Sequence, residues 1–293
     1  MSAENSSKGK ETPNEKRLID LIHERITSRR DFYSMEVSPG EIVELTSLKH
    51  LPLFISVTWI EDTNLQAFRK DPYACPALEM VRTHRDQVSV LSHLSCFNMT
   101  SGDLEGIIRM GEIQNVLAVK GNLSSATQEF TQAADLIRSI KKLQPNATIA
   151  VTGYPSYGEK HNWHVLKTKL DAGADMIILQ MDFNAENIVS FIKSCHENGI
   201  HCPIIPGFFI PRSFDSIKKV LRLYKIQIDN SLLAEYEKYQ EDQESFEQFA
   251  LTEADRWLTK IKEHLKEDFY GFHIFTMNNF VMTRRILEKY NFL

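Results

Sequence analysis

The feature that most constrains this chain is a repeated alternation, in which short runs of apolar and β-branched residues are each followed by an amphipathic stretch. Eight such runs stand at 32–39, 53–59, 88–96, 115–121, 148–155, 176–181, 203–209 and 271–277. Several, MIILQM and PIIPGFF among them, are apolar almost throughout, as strands covered on both faces of a parallel sheet are. Eight strands joined by helical crossovers favour closure over an open doubly wound sheet. The expected fold is α/β, a (β/α)8 barrel, and the 293 residues suit the roughly 250 that such a barrel uses as one domain. That domain is expected over 15–293. Residues 1–14 are nearly free of large apolar groups, cannot offset the entropy of ordering, and are expected to form a disordered tail.

The intervening stretches carry helix signals. Thr100 with Asp103 three residues on forms a variant capping box, after which Leu104, Ile107, Ile108 and Gly111 share one face. A helix is expected between Ser125 and Leu143, with Lys141 and Lys142 at its C-terminal end where the dipole favours cations. Gly173 and Gly199 stand where two helices should end in left-handed caps. Segment 226–268 breaks the rhythm by placing two acidic amphipathic helices before the last strand. It reads as an elaboration of the barrel, and its run EYEKYQEDQESFEQ as a solvated helical face.

A formal net charge of −5 offers no basic footprint for phosphate neutralisation, so nucleic acid is not an expected partner. No stretch approaches the roughly 18–20 apolar residues of a membrane span, and the N-terminus lacks an apolar signal core. A cytoplasmic protein without membrane partners is expected. Cys75, Cys96, Cys195 and Cys202 form no C-x-x-C pair and read as reduced, mostly buried thiols, with no metal site. The sequence leaves the oligomeric state open, a homo-oligomer included.

Reactive groups of such barrels gather at the C-terminal ends of the strands. Those ends are polar here: Glu36 on strand 1, Thr58 on strand 2, His93 and Ser95 on strand 3, Lys120 to Asn122 on strand 4, Tyr154 on strand 5, Gln180 on strand 6 and Asn278 on strand 8. Any one alone is more often a satisfied polar group of the core. Seven of eight strands doing so at one end point to a ligand site.

The strings SMEVSP, FISVTW, SHLSC, AVKGN, TGYP, LDAGADMIILQMDF, NGIHCPIIPGF and FHIFTMN are similar, in order and separation, to the strand motifs of the methylenetetrahydrofolate reductase family. The resemblance covers roughly Glu15 to Leu293 and implies a flavoenzyme. FAD would lie across the strand tops, NADH or NADPH would reduce it, and 5,10-methylenetetrahydrofolate would take the hydride to become 5-methyltetrahydrofolate. Thr58, His93, Tyr154 and Lys169 match positions that contact FAD, Lys169 as a point charge on the pyrophosphate. Glu36 matches the catalytic glutamate, a general acid toward folate N10 whose burial would keep its proton near neutral pH. Gln180 matches the amide that binds the pterin or the nicotinamide, and Phe214 lies near an aromatic position that stacks the second substrate. Because the chain ends where the resembled catalytic barrel ends, the regulatory domain of many eukaryotic members is not expected to follow.

Departures from the family pattern bear on the same site. Where the family has R-G-D after strand 4, this chain has Lys120, Gly121 and Asn122, so a carboxylate facing flavin and pterin becomes a neutral amide. Asn279 stands in place of the arginine that pairs with the folate's glutamate tail. Asn162 replaces an aspartate for the FAD ribose, Gln132 replaces an adenine-side tyrosine, and His161 is the candidate for a histidine from a loop that is shorter here. Two readings stay open: an active methylenetetrahydrofolate reductase, or a divergent paralogue that binds flavin or folate in a regulatory role or reduces another substrate.

Overall fold

A computed structural model describes residues 16–40, 45, 48–121, 128–156 and 162–290. The segment expected to be a disordered tail, 1–14, lies outside them. Strands β1 (Phe32–Val37), β2 (Phe54–Val57), β3 (Ser89–Ser95), β4 (Asn115–Val119), β5 (Thr148–Gly153), β6 (Met176–Met181), β7 (Ile204–Phe208) and β8 (Gly271–Phe275) pair in parallel in chain order. β8 returns to β1, with Phe32 opposite Gly271 and Glu36 opposite Phe275, so the sheet closes as the (β/α)8 barrel its apolar runs require.

Helix α1 (Leu18–Thr27) precedes the first strand; α2 (Glu61–Lys70) and α3 (Pro76–His84) together follow β2. The crossovers continue with α4 (Ser101–Gly111), α5 (Ala133–Leu143), α6 (Trp163–Asp171) and α7 (Ala185–Glu197). After β7 come α8 (Phe214–Tyr224), α9 (Asn230–Lys238) and α10 (Gln243–Leu265), and α11 (Phe280–Tyr290) follows β8. Thr100 and Asp103 form the expected capping box, and Gly173 and Gly199 take φ of +113° and +75° just past α6 and α7.

Side chains alternate across each strand, and the two sets have different partners. Met35, Ile55, Val116, Ile149 and Ile177 join the large core shared with the surrounding helices. Phe32, Phe54, Leu91, Leu117, Met176 and Ile205 face inward and form an apolar floor with Leu18, Ile19 and Ile22 of α1. The Ile19 amide donates to Thr148 Oγ1 (3.2 Å), and Arg17 bonds the Asn146 carbonyl (3.0 Å), so α1 caps the N-terminal mouth.

Two expectations from the sequence are corrected. The helix expected from Ser125 begins at Ala133, because Gln132 is extended and its amide donates to Asp135 (3.2 Å), which caps the helix there; Phe130 is buried ahead of it. Residues 125–127 lie outside the described residues. The run 235–248 is not a continuous solvated face: α9 ends at Lys238, α10 begins at Gln243, and Tyr236 and Phe246 pack in the core with ring centroids 5.5 Å apart.

One irregularity positions the site. Along β6, Ile178 pairs with Ile205 and Met181 with Gly207, three steps against two, so β6 carries a bulge of one extra residue at Leu179–Gln180. Gly207 lies against it, where a Cβ would stand 2.1 Å from the Leu179 carbonyl oxygen.

Candidate active site

Above the apolar floor the barrel interior turns polar in layers. In the middle layer His273 lies between Ser34 Oγ (2.8 Å from Nδ1) and Ser56 Oγ (3.0 Å from Nε2), and stacks on Phe54 with ring centroids 5.7 Å apart. Burial, with His93 nearby, pushes its pKa down to about 3, so the imidazole is neutral and one serine donates to it while the other accepts.

The top layer holds Glu36 and His93. Glu36 is 6 % exposed, and burial raises its pKa to about 8. His93 Nε2 lies 4.0 Å from Glu36 Oε2, too long for a hydrogen bond, and burial lowers the His93 pKa to about 4. Between those two values the pair is not an ion pair but a protonated carboxyl beside a neutral imidazole. His93 Nε2 and Thr58 Oγ1 are both buried without a hydrogen-bond partner among the described residues, which buried polar atoms seldom are unless a ligand or water meets them.

The backbone under Glu36 is held from both neighbouring strands. Thr276 Oγ1 donates to the Glu36 carbonyl (2.6 Å), the Thr58 amide donates to the Val37 carbonyl (3.0 Å), and the Ser38 amide donates to Asn278 Oδ1 (3.0 Å). Met277 and Asn278 are both left-handed, with φ of 47° and 58°.

On β6 the bulge frees the Met181 amide, and Gln180 Oε1 accepts from it (2.9 Å), so the side chain of Gln180 curls over its own strand end. At the tops of β3 and β4 the Cys96 thiol is pushed up to about 12, chiefly by burial, and lies within electrostatic reach of Lys120 and Lys169. Burial lowers the Lys169 pKa, the Cys96 thiol opposes that shift, and no carboxylate pairs with this lysine among the described residues. Lys120 is exposed, and Gly121 (φ +86°) makes the left-handed turn out of β4. Tyr154, 38 % exposed, accepts from Thr152 Oγ1 at its hydroxyl (3.0 Å).

Asn162 caps α6, accepting from the Val165 amide (3.2 Å). Phe214 opens α8, packs against the core and carries Lys218 over its ring (4.9 Å from the centroid). Asn122 and His161 lie outside the described residues. Asn279 lines a cleft of about 420 Å³ between the ends of β7 and β8, where Arg212, Lys219 and Arg284 are the charged lining residues and Glu247 lies 3.8 Å from Arg212. Positive charge therefore stands around Asn279.

Sequence reasoning passed over Thr276, His273, Ser34, Ser56 and Asp182. The last, raised in pKa by burial, accepts from Ser156 Oγ (2.6 Å), while its carbonyl accepts from Trp257 Nε1 (2.9 Å). A histidine in an apolar strand opposite a serine was the available signal for the middle layer; nothing local marks Thr276.

Fold and strand-top constellation together define a (β/α)8 barrel with its candidate site at the carboxyl face. The profile of the methylenetetrahydrofolate reductase family matches residues 22–291, and the chain belongs to that family. It is 27% identical over 299 residues to a probable methylenetetrahydrofolate reductase (NADPH) of Caenorhabditis elegans, covering 92% of this chain and 44% of that one. To 5,10-methylenetetrahydrofolate reductase of Buchnera aphidicola it is 27% identical, covering 90% and 91%. The chain spans about half the length of the eukaryotic relatives it matches, 44% and 48% for those of C. elegans and Zea mays. Among solved structures, a protein from Clostridium thermocellum that binds two copies of 5-methyl-5,6,7,8-tetrahydrofolic acid shares the fold, with a TM-score of 0.62, 13% identity, and 91% and 96% of the two chains covered. No helix among the described residues is long and apolar enough to cross a membrane.

Proposed function

We propose that this chain reduces 5,10-methylenetetrahydrofolate to 5-methyltetrahydrofolate with NADH or NADPH through bound FAD. The observation that carries the reading is Glu36, a buried carboxyl that keeps its proton to about pH 8 at the top of the barrel. An acid of that strength, shielded from water, is suited to protonate folate N10 as the five-membered ring opens.

The residues present fit a flavin. Thr58 Oγ1 and His93 Nε2 are buried and unpartnered among the described residues, and Lys169 is a half-buried cation without an acidic partner there. When bound, FAD supplies a carrier that takes hydride from the nicotinamide and returns it to the folate. Thr58 and His93 would hydrogen-bond the ring system and Lys169 would meet the pyrophosphate, while Tyr154, Lys120 and Gly121 border the same strand tops. Gln180, released from the Met181 amide, presents a donor and an acceptor to the pterin or the carboxamide. The cationic cleft beside Asn279 receives the carboxylates of the folate's tail. Four unpaired thiols support a cytoplasmic setting.

The test is to load the purified protein with FAD and follow the two half-reactions separately. Flavin absorbance is expected to bleach with NADH or NADPH and to return with methylenetetrahydrofolate. Protein that takes up no FAD rules the reading out. Lys169→Ala is expected to weaken FAD binding by about tenfold, roughly 1.4 kcal/mol, and less so at high salt. Lys219→Ala combined with Arg284→Ala is expected to raise KM for the folate several-fold with kcat little changed. An unchanged KM would move the tail elsewhere.

A second reading rests on Asn122, where the resemblance leads one to expect a carboxylate. If flavin is reduced but folate does not reoxidise it, the chain acts on another acceptor or as a binding protein. Asn122→Asp would then be expected to restore reoxidation.

A further inference from the structure

We propose that the turn Thr276–Met277–Asn278 is a positioning device for Glu36, which extends the pairing of β8 with β1 by side chains beyond the point where the backbone ladder stops. The inference rests on Glu36 being the acid of the proposed reaction. The last backbone register pair between the two strands is Glu36 opposite Phe275. Immediately past it, Thr276 Oγ1, 3 % exposed for the residue, donates to the Glu36 carbonyl (2.6 Å) and accepts from the Asn278 amide (3.0 Å). Asn278 then brackets Ser38, accepting from its amide (3.0 Å) and donating to its carbonyl (3.5 Å). Side chains thus do for residues 36–38 what main-chain pairs do below.

The conformation that allows this is unfavourable in itself. Met277 and Asn278 are consecutive non-glycine residues with φ of 47° and 58°; asparagine tolerates the left-handed region, whereas an unbranched apolar side chain gains nothing from it. Such strain persists where the surroundings over-determine it, and it clusters at functional sites. Here the surroundings are the bonds to β1 on one side and, on the other, the Tyr224 hydroxyl on Met277 Sδ (3.6 Å). Tyr224 belongs to α8, so the turn is gripped between β1 and that helix.

The consequence concerns the proton on Glu36. Among the described residues, the titratable groups around that carboxyl are His93 from β3 (4.0 Å), His273 from the layer below and Tyr224 from α8, and none brings a positive charge near neutral pH. What keeps the proton is the dry position of the carboxyl, and that position is set by the backbone the turn holds. Thr276 and Asn278 act on the proton through Glu36, and because both also line the cleft beside Asn279, the Glu36 titration and not KM reads the positioning.

Two variants separate positioning from folding. Thr276→Val keeps the shape and deletes both hydrogen bonds of the hydroxyl. Asn278→Gly keeps the left-handed turn, which glycine adopts freely, and deletes only the bracket on Ser38. The Glu36 carboxyl is titrated by infrared difference spectroscopy, using Glu36→Gln to assign its band, and kcat and KM are followed against pH with methylenetetrahydrofolate. In both variants the Glu36 titration is expected to move down by about one pH unit or more as water reaches the carboxyl. The alkaline limb of the kcat profile should move with it, kcat should fall about tenfold, and Thr276→Ser should restore both. Folded variants whose Glu36 titrates as in the wild type overturn the inference. If the titration moves while the wild type turns over no folate, the positioning stands and the proposed reaction falls.

Discussion

Glu36→Gln is expected to abolish most folate reduction, by about 10²- to 10⁴-fold, and at the same time to make the protein more stable as pH rises. Both effects follow from one buried proton. The carboxyl titrates near 4.5 when solvated and near 8 in the fold, so between those values the folded state holds a proton that the unfolded state has released. Wild-type stability therefore falls by about 1.4 kcal/mol per pH unit across that window, and the neutral amide removes the slope. His93 and His273 act in the opposite sense. Their folded pKa values, about 4 and about 3, lie below the ordinary 6.5, so their contribution is complete above pH 6.5 and is lost as pH falls toward 4 and below. The wild type should be most stable at about pH 6.5, and Glu36→Gln should remove the decline on the alkaline side and steepen the rise on the acid side. Urea unfolding at pH 5, 6.5 and 8 measures this. A stability difference between variant and wild type that does not grow with pH would mean that Glu36 is already ionised at the lowest of them.

Gly207→Ala is expected to be the most damaging single methyl in the barrel. The added Cβ would meet the Leu179 carbonyl oxygen at 2.1 Å and the Gln180 carbon and Met181 nitrogen at 2.8 Å, all of them backbone atoms of the β6 bulge. Backbone in a closed sheet cannot step aside as a flexible side chain would, so the cost should reach about 3 kcal/mol or more, or the protein should fail to fold. Gly199→Ala is the control. That residue has φ of +75° and open space around its would-be Cβ, so only the left-handed penalty of about 1 kcal/mol is expected. If Gly207→Ala unfolds in urea within 1 kcal/mol of wild type, the bulge can relax and does not fix the aim of Gln180.

Much of this could be read without coordinates, for physical reasons that differ by residue. Strands such as MIILQM declare themselves because burial on both faces leaves no room for polar alternation. The capping box at Thr100 and the left-handed glycines at 173 and 199 are local, fixed by a few neighbouring residues. Glu36, Thr58, His93 and Gln180 were legible as polar groups at strand ends because the parallel barrel brings all those ends to one face. The bulge was not, since one residue of excess in β6 has meaning only against β7. Nor was the grip of Thr276 on Glu36, which joins residues 240 apart through a bond that no spacing rule anticipates. The asparagine at 162 and the glutamine at 132 carry a local role that spacing left undeclared: each stands at the start of a helix. The acidic run after α8 misled because its two buried aromatics are outnumbered by charges that solvent tolerates.

The floor of the barrel sets an order of events during synthesis. Helix α1 leaves the ribosome ahead of every strand of the barrel, yet the groups it must cover include Met176, Ile205 and the hydroxyl of Thr148, the last hydrogen-bonded across 129 residues of chain. Until β5, β6 and β7 have emerged, the floor under Leu18, Ile19 and Ile22 holds only the side chains of β1 to β4 and is incomplete. Helix α1 thus completes its docking only after β7 has emerged, and until then part of its apolar stripe is open to a chaperone or a neighbouring nascent chain.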